Sequence, residues 1–325
     1  MSEHNRNRDR LLSEEVVTGF HLATVRAAQA TIDLLGSGDK YEVDRVAVVA
    51  LREALGELNV DGLVLVGEGE KDEAPMLHIG ETFGTGNGPS LDIAVDPVDG
   101  TRLAAENRPG AVAVLAVAER GALFNIGPAH YMEKLVSGPA ATELSLDLPL
   151  AENLELLSSA LGKPVSELVV AIQDRPRNAG YIAEALAAGA QVDRFADGDV
   201  ERCLRAARSG SGVDVLVGIG GAPEGILTAA AVRALGGSMQ GRLAPQGRRE
   251  ASRVRDAGLD TGRVLTLDEL CSRDSWLFLT AITDCRVGGE GILRGIHRDN
   301  GVVVTTSWII GAGINPLILV KRSAE

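Results

Sequence analysis

Apolar positions follow two alternating periods along this chain. Between Leu11 and Leu35, Val16, Phe20, Ala23, Ala27 and Leu34 recur near one face, the spacing of an amphipathic helix. Gly36-Ser37-Gly38-Asp39 breaks that pattern. A second helix is predicted from about Val43 to Leu58, with Val46, Val49, Ala50 and Leu55 inward. Short apolar runs then read as strands. Gly62 to Gly67 delivers Glu68-Gly69-Glu70 to its end, and Leu91 to Val95 runs into Asp96-Pro97, where proline is expected to end the ladder. Ala111 to Ala118 and Ala122 to Ile126 read as a hairpin around Glu119-Arg120-Gly121. Strands at Leu168–Gln173, Gln191–Phe195 and Val213–Ile219 alternate with helices at Gly180–Ala188, Val200–Ala207 and Ile226–Leu235. Further strands are predicted at Trp276–Ile282, Gly291–His297, Gly301–Ser307 and Leu317–Val320. Strand, polar loop and helix in this rhythm signal an α/β protein. The segment Asp147 to Glu152 is the expected boundary between a lobe over residues 1–150 and one over residues 151–325.

Composition narrows the class. A chain of 325 residues with 45% hydrophobic and 24% charged residues has ample material for a core. Aromatics make up only 3%, so the core must be aliphatic, and 39 glycines suit tight turns between strands and helices. A net charge of −13 leaves no basic face to neutralise many nucleic-acid phosphates, so a nucleic-acid partner is not expected. It does not exclude a phosphorylated small molecule, because bound divalent cations invert the local field. Cys203, Cys271 and Cys285 are odd in number and form no CxxC, which predicts a reducing cytoplasm rather than disulfides or zinc. No run approaches the roughly 18 apolar residues of a membrane span, and Met1 to Arg10 is polar rather than a signal segment.

Acidic residues recur where strands end in glycine-rich loops: Glu68 and Glu70, Asp96 and Asp99, Asp197 and Asp199, and Glu224. The crevice beyond the carboxyl ends of such strands is where open α/β sheets bind ligands. Carboxylates converging there repel one another unless a cation neutralises them. Oxygen donors without histidine or cysteine partners select Mg²⁺ or Mn²⁺ over zinc. Asp96-Pro97-Val98-Asp99-Gly100-Thr101 is the most informative stretch, since Asp99-Gly100-Thr101 can open a helix whose N–H groups and threonine hydroxyl face a phosphate.

That D-P-x-D-G-T string resembles the metal motif of the lithium-sensitive phosphatase superfamily. Three further strings look like its class II (GlpX-type) fructose-1,6-bisphosphatase branch: Gly67 to Leu77 (GEGEKDEAPML), Tyr131-Met132-Glu133-Lys134-Leu135, and Gly218 to Gly225 (GIGGAPEG). The similarity runs from about residue 11 to about 320. It implies a layered α-β-α-β-α sugar phosphatase fold of two mixed sheets, with helices between and outside them. The residues matching the family's metal ligands are Asp44, Glu68, Asp96, Asp99 and Glu224, for two or more Mg²⁺ or Mn²⁺ ions. Thr101 falls on the catalytic threonine, with Glu70 as a nearby helping carboxylate. Contacts to the sugar phosphate fall on Asp99, Gly100, Thr101, Tyr131, Arg175, Arg177, Asp197, Gly198, Asp199 and Gly221. The resemblance further implies a soluble cytoplasmic homo-oligomer, a dimer or tetramer. Residues 1–150 would form its metal-binding lobe and 151–325 its sugar-phosphate lobe.

The implied reaction is removal of one phosphate from a sugar bisphosphate, with fructose 1,6-bisphosphate as the default. Several positions depart from the family pattern. Asp99 stands where glutamate is usual, Tyr41 replaces a small amide, and Gly110 replaces asparagine. The segment Ile126 to His130 is one residue longer, and an insertion lies around Cys285 to Glu290. These changes keep open a different bisphosphate, such as sedoheptulose 1,7-bisphosphate or a longer sugar. A non-catalytic sugar-phosphate sensor is the alternative from another class.

Overall fold

The Ser13 side chain accepts the Val16 N–H at 3.3 Å, a cap that starts α1 (Glu14–Ala30). Asp39 caps α2 (Lys40–Gly56) in the same way through the Glu42 N–H. The computed structural model describes residues 12–67, 77–141, 143–287, 291–311 and 316–324. Glu68 and Glu70 therefore lie outside the described residues.

The chain builds two mixed sheets. The first contains β1 (Asp61–Val66), β2 (Thr82–Phe83), β3 (Ser90–Asp99), which leads into the short α3 (Thr101–Ala105), and β4 (Val112–Glu119). The second opens with β5 (Tyr131–Ser137) and is flanked by α4 (Leu150–Leu161). It continues through β6 (Val169–Gln173), α5 (Ala179–Ala187), β7 (Gln191–Phe195), α6 (Asp199–Ala206), β8 (Val215–Gly221), α7 (Ala222–Leu235), β9 (Ser238–Leu243), α8 (Arg248–Asp256) and β10 (Leu265–Thr266). The chain then passes through α9 (Leu267–Leu270). It returns to the first sheet with β11 (Ser275–Ala281), β12 (His297–Asp299), β13 (Val302–Gly311) and β14 (Leu317–Ala324). The strand orders are β12-β13-β11-β4-β3-β1-β2, with β14 also on β13, and β10-β9-β5-β8-β6-β7. Pairs β1–β3, β6–β7 and β6–β8 are parallel and the others antiparallel.

Three apolar clusters give the layers. Phe20, Ala47 and Leu51 of α1 and α2 pack on Ile93, Leu115 and Phe278 at the outer face of the first sheet. Leu154 and Ile182 of α4 and α5 cover Val170, Ile172 and Val217 of the second. Between the sheets lie α6 and α7, where Cys203, Leu204, Ile226 and Ala230 meet Val114 and Leu279 on one side and Met132 and Val136 on the other. Gly225 to Val232 of α7 is buried without interruption, as a helix enclosed on all sides must be. The α-β-α-β-α layering is therefore observed. No helix among the described residues is long and apolar enough to cross a membrane.

Three local expectations are corrected. Pro97 does not end its ladder. β3 runs on to Asp99 with a register shift between Asp96, opposite Val114, and Asp99, opposite Val112. Proline has no N–H to donate, and the extra residue is absorbed as a bulge. The hairpin arm expected at Ala122–Ile126 is not a strand, because β3 and β11 already occupy both edges of β4. Gly291–His297 likewise forms only an isolated bridge at Leu293 before β12 begins. The chain enters the second sheet at Tyr131 and leaves it before Ser275. The changes of sheet fall at those two points.

Candidate active site

A cavity of about 820 Å³ opens beyond the carboxyl ends of β3, β6, β7 and β8 and the start of β5. Asp96, Asp99, Gly100, Thr101, Tyr131, Arg175, Arg177, Asp197, Gly198, Asp199, Gly221 and Glu224 all line it, from sequence positions more than a hundred residues apart.

The bulge in β3 explains how Asp96 and Asp99 share this cavity. Residues three apart on a regular strand point to opposite faces, and one extra residue restores them to the same one. Asp96 Oδ1 accepts the Val98 N–H at 3.0 Å, which holds the bulge. Gly100 then adopts φ 83°, a left-handed conformation that turns the strand into α3 and that a β-carbon would strain. Thr101, the first residue of α3, donates its hydroxyl to the Val98 carbonyl at 3.1 Å, leaving its oxygen lone pairs available. Asp99 is 5% exposed, and its Oδ2 accepts the Val200 N–H at 3.3 Å from α6.

Glu224 enters from the first turn of α7. Its Oε2 is buried and makes no hydrogen bond among the described residues. Gly221 lets it lie there, because a β-carbon at that position would fall 1.8 Å from Glu224 Oε2. Gly221→Ala is expected to push the carboxylate aside and lower kcat/KM by roughly 100-fold, the usual effect of a misplaced site group. Circular dichroism and steady-state kinetics would check that the fold survives while activity does not.

Electrostatics follow from this crowding. Burial, then the neighbouring Glu224 and Asp199 charges, push the Asp99 carboxyl well above the usual range. Burial also raises Glu224, opposed by Lys134 and reinforced by Asp199. Lys134, on β5, is 1% exposed and donates to Asp199 Oδ2 at 2.5 Å and to the Gly221 carbonyl at 3.3 Å. Burial alone would lower its pKa, but Asp199, Cys203 and Glu224 outweigh it and hold the ammonium above the ordinary lysine value. Among the described residues, no three acidic, histidine or cysteine side chains are drawn together tightly enough to hold an ion unaided. The donor chemistry nevertheless fits a hard divalent cation. Asp96, Asp99 and Glu224 present only carboxylate oxygen, one atom of it buried and unpartnered.

Guanidinium groups face the same space. Arg175 pairs with Asp197 at 2.5 Å. Arg177 donates to the Ile219 carbonyl at 2.9 Å and to Gln173 Oε1 at 2.6 Å, and lies over the Tyr131 ring at 4.9 Å. Both arginines are thus held in fixed orientations. Asp197 Oδ2 is buried with no hydrogen-bond partner among the described residues.

Not every expected residue is brought in. Asp44 lies one turn beyond Lys40 on α2, and of the two only Lys40 lines the cavity. Among the departures, His130 lines it while Tyr41, 77% exposed, and Gly110 do not. Lys40, Arg102 and Gln173 line the cavity unforeseen. Lys134, buried beneath it, was also missed. One signal for Lys134 was available, a lysine at an inward strand position between Met132 and Val136.

Two mixed sheets in five layers, with carboxylates and guanidinium groups meeting at strand ends, suit a phosphoric monoester hydrolase, the class that the chain's family shows. Comparison with known proteins agrees. The chain belongs to the family described as "Bacterial fructose-1,6-bisphosphatase, glpX-encoded", whose profile matches residues 14–320. It is 43% identical over 314 residues to "Fructose-1,6-bisphosphatase 1 class 2" of Escherichia coli (strain K12), covering 92% of both chains. The "Fructose-1,6-bisphosphatase class 2" proteins of Escherichia coli O6:H1 and Shigella flexneri match to the same 43% and 92%.

Proposed function

We propose that this chain hydrolyses fructose 1,6-bisphosphate to fructose 6-phosphate and inorganic phosphate. The observation that carries the proposal is the single cavity gathering Asp96, Asp99, Thr101 and Glu224 with Arg175 and Arg177. The names of the relatives support fructose 1,6-bisphosphate as the sugar.

Asp44, Glu68, Asp96, Asp99 and Glu224 would hold two or more Mg²⁺ or Mn²⁺ ions, which when bound offset phosphoryl charge and acidify the attacking water. Thr101 orients that water through its oxygen, since its own proton is committed to the Val98 carbonyl. Glu70 accepts the water proton as the oxygen bonds to phosphorus. The ester P–O bond breaks, and the sugar alkoxide leaves and takes up a proton from solvent water, while Glu70 returns its own proton to solvent. Little covalent work falls to the protein in such a loose transition state, so fixed side chains matter most. Arg175 and Arg177 fork onto the second phosphate, and their existing partners hold them in place for it. The buried Asp197 Oδ2 is an acceptor for a sugar hydroxyl. Tyr131 and Asp199, with the glycine backbones at Gly100, Gly198 and Gly221, complete the sugar-phosphate contacts.

A cytoplasmic setting is supported by three free, buried cysteines. A homo-oligomer is supported by β14, which leaves Leu317, Ile318, Leu319 and Val320 exposed.

A panel of sugar bisphosphates assayed with Mg²⁺ and with Mn²⁺ tests the substrate. Fructose 1,6-bisphosphate is expected to give the highest kcat/KM. Faster turnover of a seven-carbon or longer bisphosphate would reassign the sugar while keeping the chemistry. Metal binding without phosphate release from any member would point to the sensor instead.

A further inference from the structure

A second cavity, of about 490 Å³, shares no lining residue with the first. Arg202 and Arg205 of α6 and Arg286 line it, together with Asp193 at the end strand β7. Clustering three guanidinium groups around one opening is unexpected in a chain of net charge −13.

The carboxylates nearby do not use up these donors. Glu201 is engaged, its Oε1 accepting the Arg286 N–H at 3.1 Å and its Oε2 accepting Arg202 Nη1 at 2.7 Å. Asp284 accepts the Gly295 N–H at 2.8 Å. Asp193 is left to serve two arginines. It lies 3.8 Å from Arg202 Nε and 3.5 Å from Arg205 Nη1, both beyond a good hydrogen bond. Among the described residues, the buried Arg202 Nε has no hydrogen-bond partner. Among the described residues the exposed Arg286 side chain makes no ion pair. Each guanidinium offers five N–H groups, so donors far outnumber acceptors.

The donors are also held in position. Arg202 is fixed between Glu201 and the Phe195 ring, 5.4 Å from its centroid. Arg205 donates from Nε to the Ser211 carbonyl at 3.4 Å. Burial, and then the positive charge of Arg202, lower the Arg205 pKa; Asp193 and Glu201 oppose this in part, and Arg286 adds to the lowering. Like charges held together in this way favour an anion with several acceptor oxygens, and phosphate matches the guanidinium fork. The cavity has room for a small organic group beside the phosphate.

We propose that this cavity is a second anion site, which takes a phosphate dianion, free or as a small phosphate monoester, on Arg202, Arg205 and Arg286. A β-carbon on Gly110 would stand 3.0 Å from Glu201 Oε2, and Cys285 lines the cavity itself. The site shares α6 with the catalytic cavity, since Asp199 begins that helix. The proposal does not depend on which sugar bisphosphate the enzyme hydrolyses.

Calorimetric titration of inorganic phosphate, and separately of glycerol phosphate, into the full chain tests it. A chelator should be present, and the variants compared are wild type, Arg286→Ala, Arg205→Met and Arg177→Ala. Phosphate is expected to bind wild type and Arg177→Ala alike, about tenfold more weakly to Arg286→Ala, and not measurably to Arg205→Met. Tighter binding of glycerol phosphate would assign the site to a monoester, and equal binding to phosphate alone. Arg286 is exposed, so its loss should leave the fold and kcat intact. Unchanged affinity in Arg286→Ala, or loss of all binding in Arg177→Ala, would overturn the proposal.

Discussion

Thr101→Ala is expected to lower kcat by roughly two to three orders of magnitude while leaving KM within about twofold. The threonine hydroxyl is fixed by its bond to the Val98 carbonyl, and it lines the cavity beside Asp96 and Asp99. Its oxygen therefore offers a preset acceptor for the attacking water of the proposed reaction. Removing it leaves Arg175, Arg177 and Tyr131, the proposed sugar-phosphate contacts, untouched, so binding should persist. Thr101→Ser keeps the hydroxyl and should recover most of the rate. Steady-state kinetics on the three proteins measure both effects. Wild-type turnover in the alanine variant would remove Thr101 from the reaction.

Lys134→Met should produce the largest stability change. Lys134 is 1% exposed and provides the internal positive charge beneath Asp199, with Glu224 also within its field. Methionine keeps much of the volume but removes the ammonium, which leaves Asp199 buried and unpaired. Breaking a buried pair from one side costs about 3–5 kcal/mol. In chemical denaturation with a chelator present, the variant is expected to lose about that much. Mg²⁺ or Mn²⁺ should then restore more stability to the variant than to wild type, since a bound cation can take over part of the neutralisation. Equal stability of the two metal-free proteins would show that Lys134 does not balance the acidic cluster.

Much of the fold could be read along the chain because its elements carry strong local patterns. Both N-terminal helices appear, bounded by Ser13 and Asp39, but α2 buries Val43, Ala47, Leu51 and Ala54 beside Leu55, and the expected inward Val46, Val49 and Ala50 are only half-buried. The alternation from Val169 to Leu235 was legible because proline or glycine marks the passage from each strand to the helix after it. β5, α4, β9 and α8 were not assigned. β5 carries Glu133 and Lys134 within a strand that β8 and β9 cover on both edges, so charge hides its burial.

The sequence by itself determined the chemistry: oxygen-only donors at strand ends, the D-P-x-D-G-T turn and the GIGGAPEG helix start. These are local, because a carboxylate's hardness and a glycine's backbone freedom travel with the residue. Only the tertiary structure decided which groups meet. The Pro97 bulge turned Asp96 and Asp99 to one side. The packing of α6 and α7 between the sheets brought Asp199 and Glu224 to them, and β5 carried Lys134 underneath. Such convergence depends on sheet order and register across more than a hundred residues, which no local period encodes.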